Sequence, residues 1–243
     1  MSQSISIDGI EVPFKSNQTI MDAALAANIY IPHLCHNPCL KPHGSCKLCT
    51  VEVNGHTTSS CTTKAEDGQK VINNSEKLNK ARLTITQMLF IEGNHLCPTC
   101  EKTGNCTLQA VAYHLGMLDG HFPQFYPKRE VDASHPSIML DRDRCILCEL
   151  CVRASREFDK KDVFAIAGRG GNAHLIVNSP SGKLRDSDIE QNDLAAHICP
   201  VGAILIKERG YEIPIGCRTF DLRSVTEIDL GDVKLSEKSS HHE

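Results

Sequence analysis

Three cysteines at two-residue gaps, Cys145, Cys148 and Cys151, stand within the short stretch CILCELC. Three thiolates at this spacing let one loop present sulfur to three irons of a cubane, whereas tetrahedral zinc seldom uses such a run. The pattern C-x2-C-x2-C-x3-C-P would place a fourth cysteine at position 155, which is Ser155. Where two clusters are bound, the Cys-Pro ligand serves the other run, so a distant cysteine can complete the site. Cys199, in the stretch HICPVGAI, is therefore the predicted fourth ligand of a [4Fe-4S] cluster, and Ser155 would mark the loss of a second cluster.

Another set of cysteines, the first of three in chain order, comprises Cys35, Cys46, Cys49 and Cys61, in the pattern C-x10-C-x2-C-x11-C. A [2Fe-2S] cluster needs two thiolates for each iron, and these four cysteines can supply them. The plant-type spacing begins C-x4-C, so the first loop is longer here, and Cys39 within it competes for the first ligand position. Cys35 is preferred because it directly follows the helix exit YIPHL. The alternative is a zinc site built on Cys46 and Cys49.

The stretch NHLCPTCEKTGNC carries Cys97, Cys100 and Cys106 at C-x2-C-x5-C spacing, with His95 just before them. Three thiolates leave one iron of a cubane without a protein ligand, and imidazole can bind iron. His95 is the nearest candidate, so the pattern predicts a [4Fe-4S] cluster held by one histidine and three cysteines. A lone histidine is more often an ordinary structural residue, and that interpretation is the alternative.

Three further histidines, His33, His36 and His43, lie near the first of these sets in the chain. A Rieske centre would replace two cysteines by histidines, but four cysteines are already available there. We therefore interpret these histidines as loop residues. Cys39 and Cys217 remain outside the three sets and are interpreted as spare thiols.

A glycine-rich stretch, FAIAGRGGNAH, matches the dinucleotide fingerprint G-x-G-x-x-A at Gly168, Gly170 and Ala173. The fingerprint requires a helix next, whose N-terminus holds the pyrophosphate. The following residues, HLIVNSP, are typical of a strand, so a hairpin turn is predicted instead. The sequence also shows no Walker loop, Ser-His-Asp set or paired catalytic carboxylates. It indicates a chain that moves electrons and has no substrate-converting active site.

Composition narrows the functional classes further. Thirteen cysteines in 243 residues, with no secretory signal at the N-terminus, favour metal ligation in a reducing cytoplasm over disulfides. A net charge of −4 and an aromatic content of 5% argue against nucleic-acid binding. The most apolar late stretch, AAHICPVGAILI, is too short to cross a bilayer, so no membrane association is expected.

Local patterns predict an α+β protein whose short elements position the three sets. Hairpins are expected over residues 4–15 and 49–61, because apolar alternation or β-branched runs flank Asp8-Gly9 and Asn54-Gly55. Apolar periodicity and polar caps predict helices over 16–29, 75–93, 106–116 and 186–198. A later hairpin over 162–178 and a strand over 203–208 complete the pattern.

These elements divide the chain into five segments. We expect a β-grasp [2Fe-2S] ferredoxin-like domain over residues 1–76 and a helical domain with the one-histidine, three-cysteine [4Fe-4S] cluster over 77–118. A Pro-rich linker over 119–136 then leads to a bacterial-ferredoxin-like [4Fe-4S] domain over 137–210. The charged C-terminal tail, 211–243, is expected to lie on a surface or on a partner.

Taken in this order, the motifs resemble the N-terminal part of the large iron-sulfur subunit of respiratory complex I. The stretches EGNHLCPTCEKTGNCTLQA, DRCILCELCV and ICPVGAIL, together with the chain length, are more similar to the short diaphorase subunit of NAD-reducing [NiFe]-hydrogenases. The family pattern for the second centre is H-x3-C-x2-C-x5-C, whereas only Leu96 separates His95 from Cys97 here.

The resemblance implies an electron-transfer subunit of a hydrogen:NAD+ oxidoreductase with one [2Fe-2S] and two [4Fe-4S] clusters. Hydrogen would be oxidised in a [NiFe] partner, and electrons would pass through this chain to a flavin subunit that binds FMN and NAD. The implied partners are that diaphorase flavin subunit and the small and large hydrogenase subunits. Two other functions stay open: an electron-transfer module of another NAD-linked complex, such as formate dehydrogenase or complex I, and a structural zinc protein.

Overall fold

The computed structural model describes residues 3–228 and begins with a five-stranded mixed sheet. Its strands are β1 (Ser4–Ile7), β2 (Ile10–Pro13), β3 (Thr50–Val53), β4 (His56–Ser59) and β5 (Lys70–Ile72), in the order β2-β1-β5-β3-β4. β1 and β5 run parallel, and the other neighbours are antiparallel. Both predicted hairpins are confirmed, since β1 pairs with β2 and β3 pairs with β4.

The first helix, α1 (Ile20–Ala26), lies across this sheet. Thr19 caps it by accepting a hydrogen bond from the Asp22 backbone, and the Asp22 carboxylate accepts one from Thr19 in return. The helix is shorter than the predicted range 16–29, and it buries Ile20, Met21 and two alanines against the sheet. The loop from α1 to β3 carries Cys35, Cys46 and Cys49.

Two helices follow, α2 (Glu76–Glu92) and α3 (Thr107–His114), and they contact each other. The Ser75 hydroxyl accepts a hydrogen bond from the Leu78 backbone and starts α2, which ends at Gly93 as predicted. The connection between α2 and α3 contains a short 3-10 helix, Cys97–Thr99, and the second cysteine set. Two helices therefore hold both ends of that loop.

Two small antiparallel sheets and short helical turns form the C-terminal part. β6 (Val131–Asp132), β7 (Ile138–Asp141) and β10 (Ile204–Ile206) make one sheet in the order β10-β7-β6, and β8 (Phe164–Ala167) pairs with β9 (His174–Val177). Helix α4 (Leu150–Arg153) continues into a π-helical turn, Ala154–Phe158. Helices α5 (Leu194–His197) and α6 (Thr219–Leu222) are single turns. β6 lies inside the range predicted as a linker.

The predicted helix over 186–198 is wrong for most of its length, because only α5 at its end is helical. The reason is local: the Asp193 carboxylate accepts a hydrogen bond from the Glu190 backbone, which favours a turn over a helix. The glycine-rich stretch forms the turn between β8 and β9, with a 3-10 helix over Gly170–Asn172, as predicted. Of the predicted tail, residues 229–243 lie outside the described part of the chain.

One hydrophobic core extends through all three cysteine-bearing regions. It includes Leu34 and Leu48 from the N-terminal part, Leu108 and Val111 from α3, and Phe164 from β8. A separate, smaller core lies between α1 and the first sheet. Each of the three cysteine sets contributes at least one buried cysteine to the larger core, so this core joins the three regions. Within residues 3–228, no helix is long and apolar enough to cross a membrane.

Candidate cysteine and histidine ligand sites

The four predicted ligands of the first set come together as two pairs. The Cys49 and Cys61 sulfurs lie 3.3 Å apart, and the Cys46 backbone N–H donates to the Cys35 sulfur at 3.5 Å. Hydrogen bonding between the paired thiols lowers the pKa values of Cys35 and Cys49 and raises those of Cys46 and Cys61. Two thiol pairs side by side match the donor set of a [2Fe-2S] cluster, which takes two thiolates for each iron.

Of the residues near this site, Cys39 is exposed, His33 and His43 are engaged elsewhere, and the buried His36 ring packs 5.4 Å from the His33 ring. Cys39 is exposed, whereas Cys35 is only 1% accessible. The His33 ring lies 2.7 Å from the Ile31 carbonyl, and the His43 ring lies 3.3 Å from the Glu149 carboxylate. This arrangement favours Cys35 over Cys39 as the first ligand.

The second set lies at the turn between α2 and α3. Cys97 begins the 3-10 helix, Cys100 follows it, and Cys106 immediately precedes α3. Burial raises the pKa of Cys106 to about 12, and the nearby thiols of Cys100 and Cys97 add to the rise. The three sulfurs therefore face the same small region of the protein.

His95 sits beside this set with a ring nitrogen left unpaired. Its Nε2 is buried and has no hydrogen-bond partner, and its ring packs 5.5 Å from the Phe90 ring. Burial, followed by the charge of Arg144, lowers the pKa of His95 to about 4, so the ring is neutral at pH 7. Arg144 also donates to the Cys100 sulfur at 3.7 Å, so His95 and Cys100 share a neighbour. A neutral imidazole with an orphaned buried nitrogen has the chemistry of a metal ligand.

The third set surrounds a partly enclosed cavity. All four predicted ligands line it: Cys145, Cys148, Cys151 and Cys199. Most of the other lining residues are aliphatic, including Ile146, Leu175, Val201 and Ile204. Burial raises the pKa of Cys145 to about 11 and that of Cys148 further, with the neighbouring thiols adding to both rises. Four cysteines around one small hollow, with Glu149 as the charged residue among them, match the donor set of a cubane cluster. Within residues 3–228, no group of three or more His, Cys, Asp or Glu side chains is arranged to hold a single metal ion.

Ser155, the residue at the interrupted cysteine position, lies outside the lining of this cavity. It is fully buried, and its hydroxyl accepts a hydrogen bond from the Val163 backbone at 2.7 Å. Its own carbonyl accepts from the backbones of Lys161 and Asp162. Ser155 therefore stabilises the turn between α4 and β8 through these hydrogen bonds. The spacing of the cysteines did not indicate this structural role.

The third set adjoins both of the others. Arg153, two residues after Cys151, donates to the Cys35 carbonyl at 2.5 Å. The Cys106 sulfur lies 3.6 Å from the carbonyl of Pro200, the residue after Cys199. The third set thus has a direct contact with the first set and another with the second.

Three family models match the chain, one over each cysteine set. A 2Fe-2S iron-sulfur cluster binding domain matches residues 3–76, an NADH-ubiquinone oxidoreductase-G iron-sulfur binding region matches 82–121, and a 4Fe-4S single cluster domain matches 138–206. Each predicted ligand set falls within one matched region. The chain is thus an α+β iron-sulfur protein with both [2Fe-2S]- and [4Fe-4S]-type domains.

Whole-length similarity identifies the family. The NAD-reducing hydrogenase HoxS subunit gamma of Cupriavidus necator is 39% identical over 229 residues, which cover 93% of this chain and 96% of that protein. The chain belongs to this family of hydrogenase gamma subunits. A crystal structure of an NAD+-reducing [NiFe]-hydrogenase in the H2-reduced state contains a chain that is 49% identical to this gamma-type subunit. The match has a TM-score of 0.92 and covers 95% of this chain and 98% of that one.

A longer relative matches this gamma-type subunit over about a third of its own length. The NADH-ubiquinone oxidoreductase 78 kDa subunit of Candida albicans is 30% identical over 232 residues, which cover 94% of this chain and 31% of that protein. The resemblance to the complex I subunit is thereby confirmed, and the hydrogenase gamma subunit has the higher identity of these two relatives.

Proposed function

We propose that this chain is the electron-transfer subunit of an NAD-reducing [NiFe]-hydrogenase, relaying electrons between the hydrogenase module and an FMN- and NAD-binding diaphorase subunit. The observation that carries the proposal is the near full-length match to a hydrogenase gamma subunit, in a chain whose three ligand sets share one core. The chain itself contributes no substrate-converting site, and its role is to hold the electron carriers in order.

The proposed cofactors are one [2Fe-2S] cluster and two [4Fe-4S] clusters, which supply one-electron carriers when bound. The first is held by Cys35, Cys46, Cys49 and Cys61. The second set, His95, Cys97, Cys100 and Cys106, holds one cubane, and the third set, Cys145, Cys148, Cys151 and Cys199, holds the other. The detailed arrangement is a β-grasp domain for the first set, a helical domain for the second and a ferredoxin-like domain for the third.

We propose an order for the three sites that gives the chain two distinct ends. The third set adjoins each of the others, so electrons that enter at the first or second set would cross the third set and leave at the opposite one. The buried core around the sulfurs excludes water and limits the reorganisation that accompanies each change of charge. The proposed partners at these ends are the flavin subunit and the small and large hydrogenase subunits, in a cytoplasmic complex without nucleic acid or membrane.

Two alternative functions lead to different observations. An electron-transfer module of another NAD-linked complex would co-purify with formate dehydrogenase or complex I subunits, whereas nickel-iron subunits support the hydrogenase assignment. A structural zinc protein would contain zinc without acid-labile sulfide. Anaerobic purification of the native complex, with identification of its subunits, separates the first two functions.

Metal content gives the direct test of the cluster assignment. One two-iron cluster and two four-iron clusters predict about ten irons and about ten acid-labile sulfides per chain. Anaerobically purified full-length chain should therefore show this content by elemental and sulfide analysis. A content near six irons would remove one cubane from the assignment, and zinc without sulfide would refute the cluster assignment altogether.

A further inference from the structure

Two buried arginines reach the first cysteine set from the other two regions of the chain. Arg82 extends from α2, the helix that leads into the second set, and is 3% accessible. Arg153 ends α4, two residues after Cys151 of the third set, and is 8% accessible. Each neighbouring cluster region thus contributes one permanent positive charge to the N-terminal domain.

Arg82 is held by acceptors on both sides of Cys49. Its guanidinium donates to the carbonyls of Leu48 and Thr50, at 3.1 and 2.8 Å, and to the Asn73 carbonyl at 2.8 Å. Further bonds go to the side-chain oxygens of Asn73 and Asn79. Burial lowers the pKa of Arg82, and the negative charge of Cys49 is the largest influence opposing that effect, ahead of Asp8. The guanidinium therefore lies against the backbone that presents Cys49.

Arg153 binds the backbone of the loop between α1 and β3, which also carries Cys49. It donates to the Cys35 carbonyl at 2.5 Å and to the Lys41 carbonyl at 2.7 Å. Its Nε is buried and has no hydrogen-bond partner. Two chain segments that are more than one hundred residues apart in sequence are joined by this one side chain.

Every hydrogen bond from these two guanidiniums goes to a neutral oxygen. Among the described residues, the ion pairs within 4 Å include neither Arg82 nor Arg153. Carbonyl acceptors satisfy donors but carry no net charge, and a buried charge without a counter-charge is costly. The negative charges that act on Arg82 are those of Cys49 and, to a smaller extent, Asp8, and the backbone bonds place both arginines beside the cysteine thiolates that would hold the cluster.

We propose that Arg82 and Arg153 supply buried positive charge to the first cysteine set and thereby raise the reduction potential of its [2Fe-2S] cluster. This inference rests on the proposed function, which assigns the cluster to Cys35, Cys46, Cys49 and Cys61. Reduction adds one negative charge to a cluster that is already anionic, so nearby positive charge stabilises the reduced form more than the oxidised form. The two arginines also make the potential of the first site depend on correct packing of the other two regions.

The test replaces each charge separately in the full chain, purified anaerobically with its partner subunits. Arg82→Met and Arg153→Met remove the charge, whereas Arg82→Lys and Arg153→Lys keep it. Matched controls are Lys80→Met, an exposed residue of α2, and Arg156→Met, whose side chain is 61% exposed beside Asp162. The readout is the midpoint potential of the [2Fe-2S] signal in an EPR-monitored redox titration, with iron content measured on each sample.

Each methionine variant is expected to lower the reduced-to-oxidised ratio of this cluster by roughly tenfold at the wild-type midpoint. The reason is that one positive charge about 10 Å away in a protein interior stabilises the reduced form by about this factor. For a one-electron couple this equals a downward shift of about 59 mV. The lysine variants and both controls should stay within about a third of that shift, and the double methionine variant should approach the sum.

A methionine variant that keeps its cluster at the wild-type potential overturns the inference for that arginine. So do equal shifts in the lysine and methionine variants, because a lost geometry and not a lost charge would then be the cause. If a methionine variant loses the cluster, the lysine variant at the same position becomes the test. A lysine variant that binds the cluster at the wild-type potential supports the proposed role of the positive charge, and a lysine variant that also loses the cluster refutes it. Absence of the [2Fe-2S] signal from the wild-type chain would instead refute the site assignment in the proposed function.

Discussion

Replacing Cys199 by serine is expected to remove the C-terminal [4Fe-4S] cluster and to lower the iron content from about ten to about six per chain. The substitution takes away one of the four sulfurs that line the cavity between β10, α4 and the loop before β10. A serine hydroxyl stays protonated near neutral pH and is a poor substitute for thiolate. Iron and sulfide analysis, with EPR of the reduced chain, measures the loss.

The same variant should also lower the thermal stability of the chain and the rate of electron transfer through the complex. The third set adjoins the other two, and its four cysteines lie in or against the shared core. Cluster binding is linked to folding in such sites, so losing this cluster is expected to lower thermal stability as well. Electron transfer from hydrogen to NAD+ should fall to background, because the proposed electron path crosses this cluster. Retention of ten irons in Cys199→Ser would show that another residue completes the cubane.

Ser155→Ala is the matched control for this prediction, since it changes the residue at the interrupted cysteine position. The cluster should assemble normally, because Ser155 does not line the cavity. The variant leaves the buried Val163 N–H without its acceptor, which should cost about 1–3 kcal/mol of unfolding free energy. Loss of four irons on this substitution would identify the serine as a ligand and contradict the assignment to Cys199.

Local sequence patterns predicted most of the elements that hold these sites. Asp8-Gly9 and Asn54-Gly55 adopt positive φ angles in their hairpin turns, and Ser75 and Gly93 bound α2, as their residue types indicate. The ligand sets stay predictions, drawn from cysteine spacing and from a Cys-Pro pair that indicates a distant ligand. For the hairpin turns and the helix ends, the determining interaction lies within a few residues.

Interactions across long stretches of chain could not be predicted in this way. Arg82 binds the carbonyl of Leu48, and Arg153 binds that of Cys35, yet both arginines occupy positions that read as ordinary polar helix residues. The contacts of the third set with the other two likewise depend on how the core packs. The overlong helix prediction over 186–198 failed because Asp193 bonds to backbone that a helix would have used.

His95→Cys is expected to lower the reduction potential of the second cluster by on the order of 100 mV, since thiolate adds a negative charge where neutral imidazole had none. The orphaned Nε2 and the pKa of about 4 show that the ring of His95, the proposed ligand, is neutral at pH 7. A site-specific redox titration of the full-chain complex measures the shift. Leu96→Ala, which alters the exposed neighbouring side chain without touching a ligand, should leave the potential unchanged.

Gly93→Ala tests the same ligand without replacing it. A methyl group on Gly93 would lie 2.5 Å from His95 Nε2 and 3.0 Å from the Asp143 carbonyl, so the ring must move. Because only Leu96 separates His95 from Cys97, this short loop has little freedom to return the ring to the iron. The second cluster should therefore be partly lost in Gly93→Ala, as in His95→Ala. If His95→Cys keeps the wild-type potential and Gly93→Ala keeps all its iron, the imidazole is a structural residue and three cysteines alone hold that cubane.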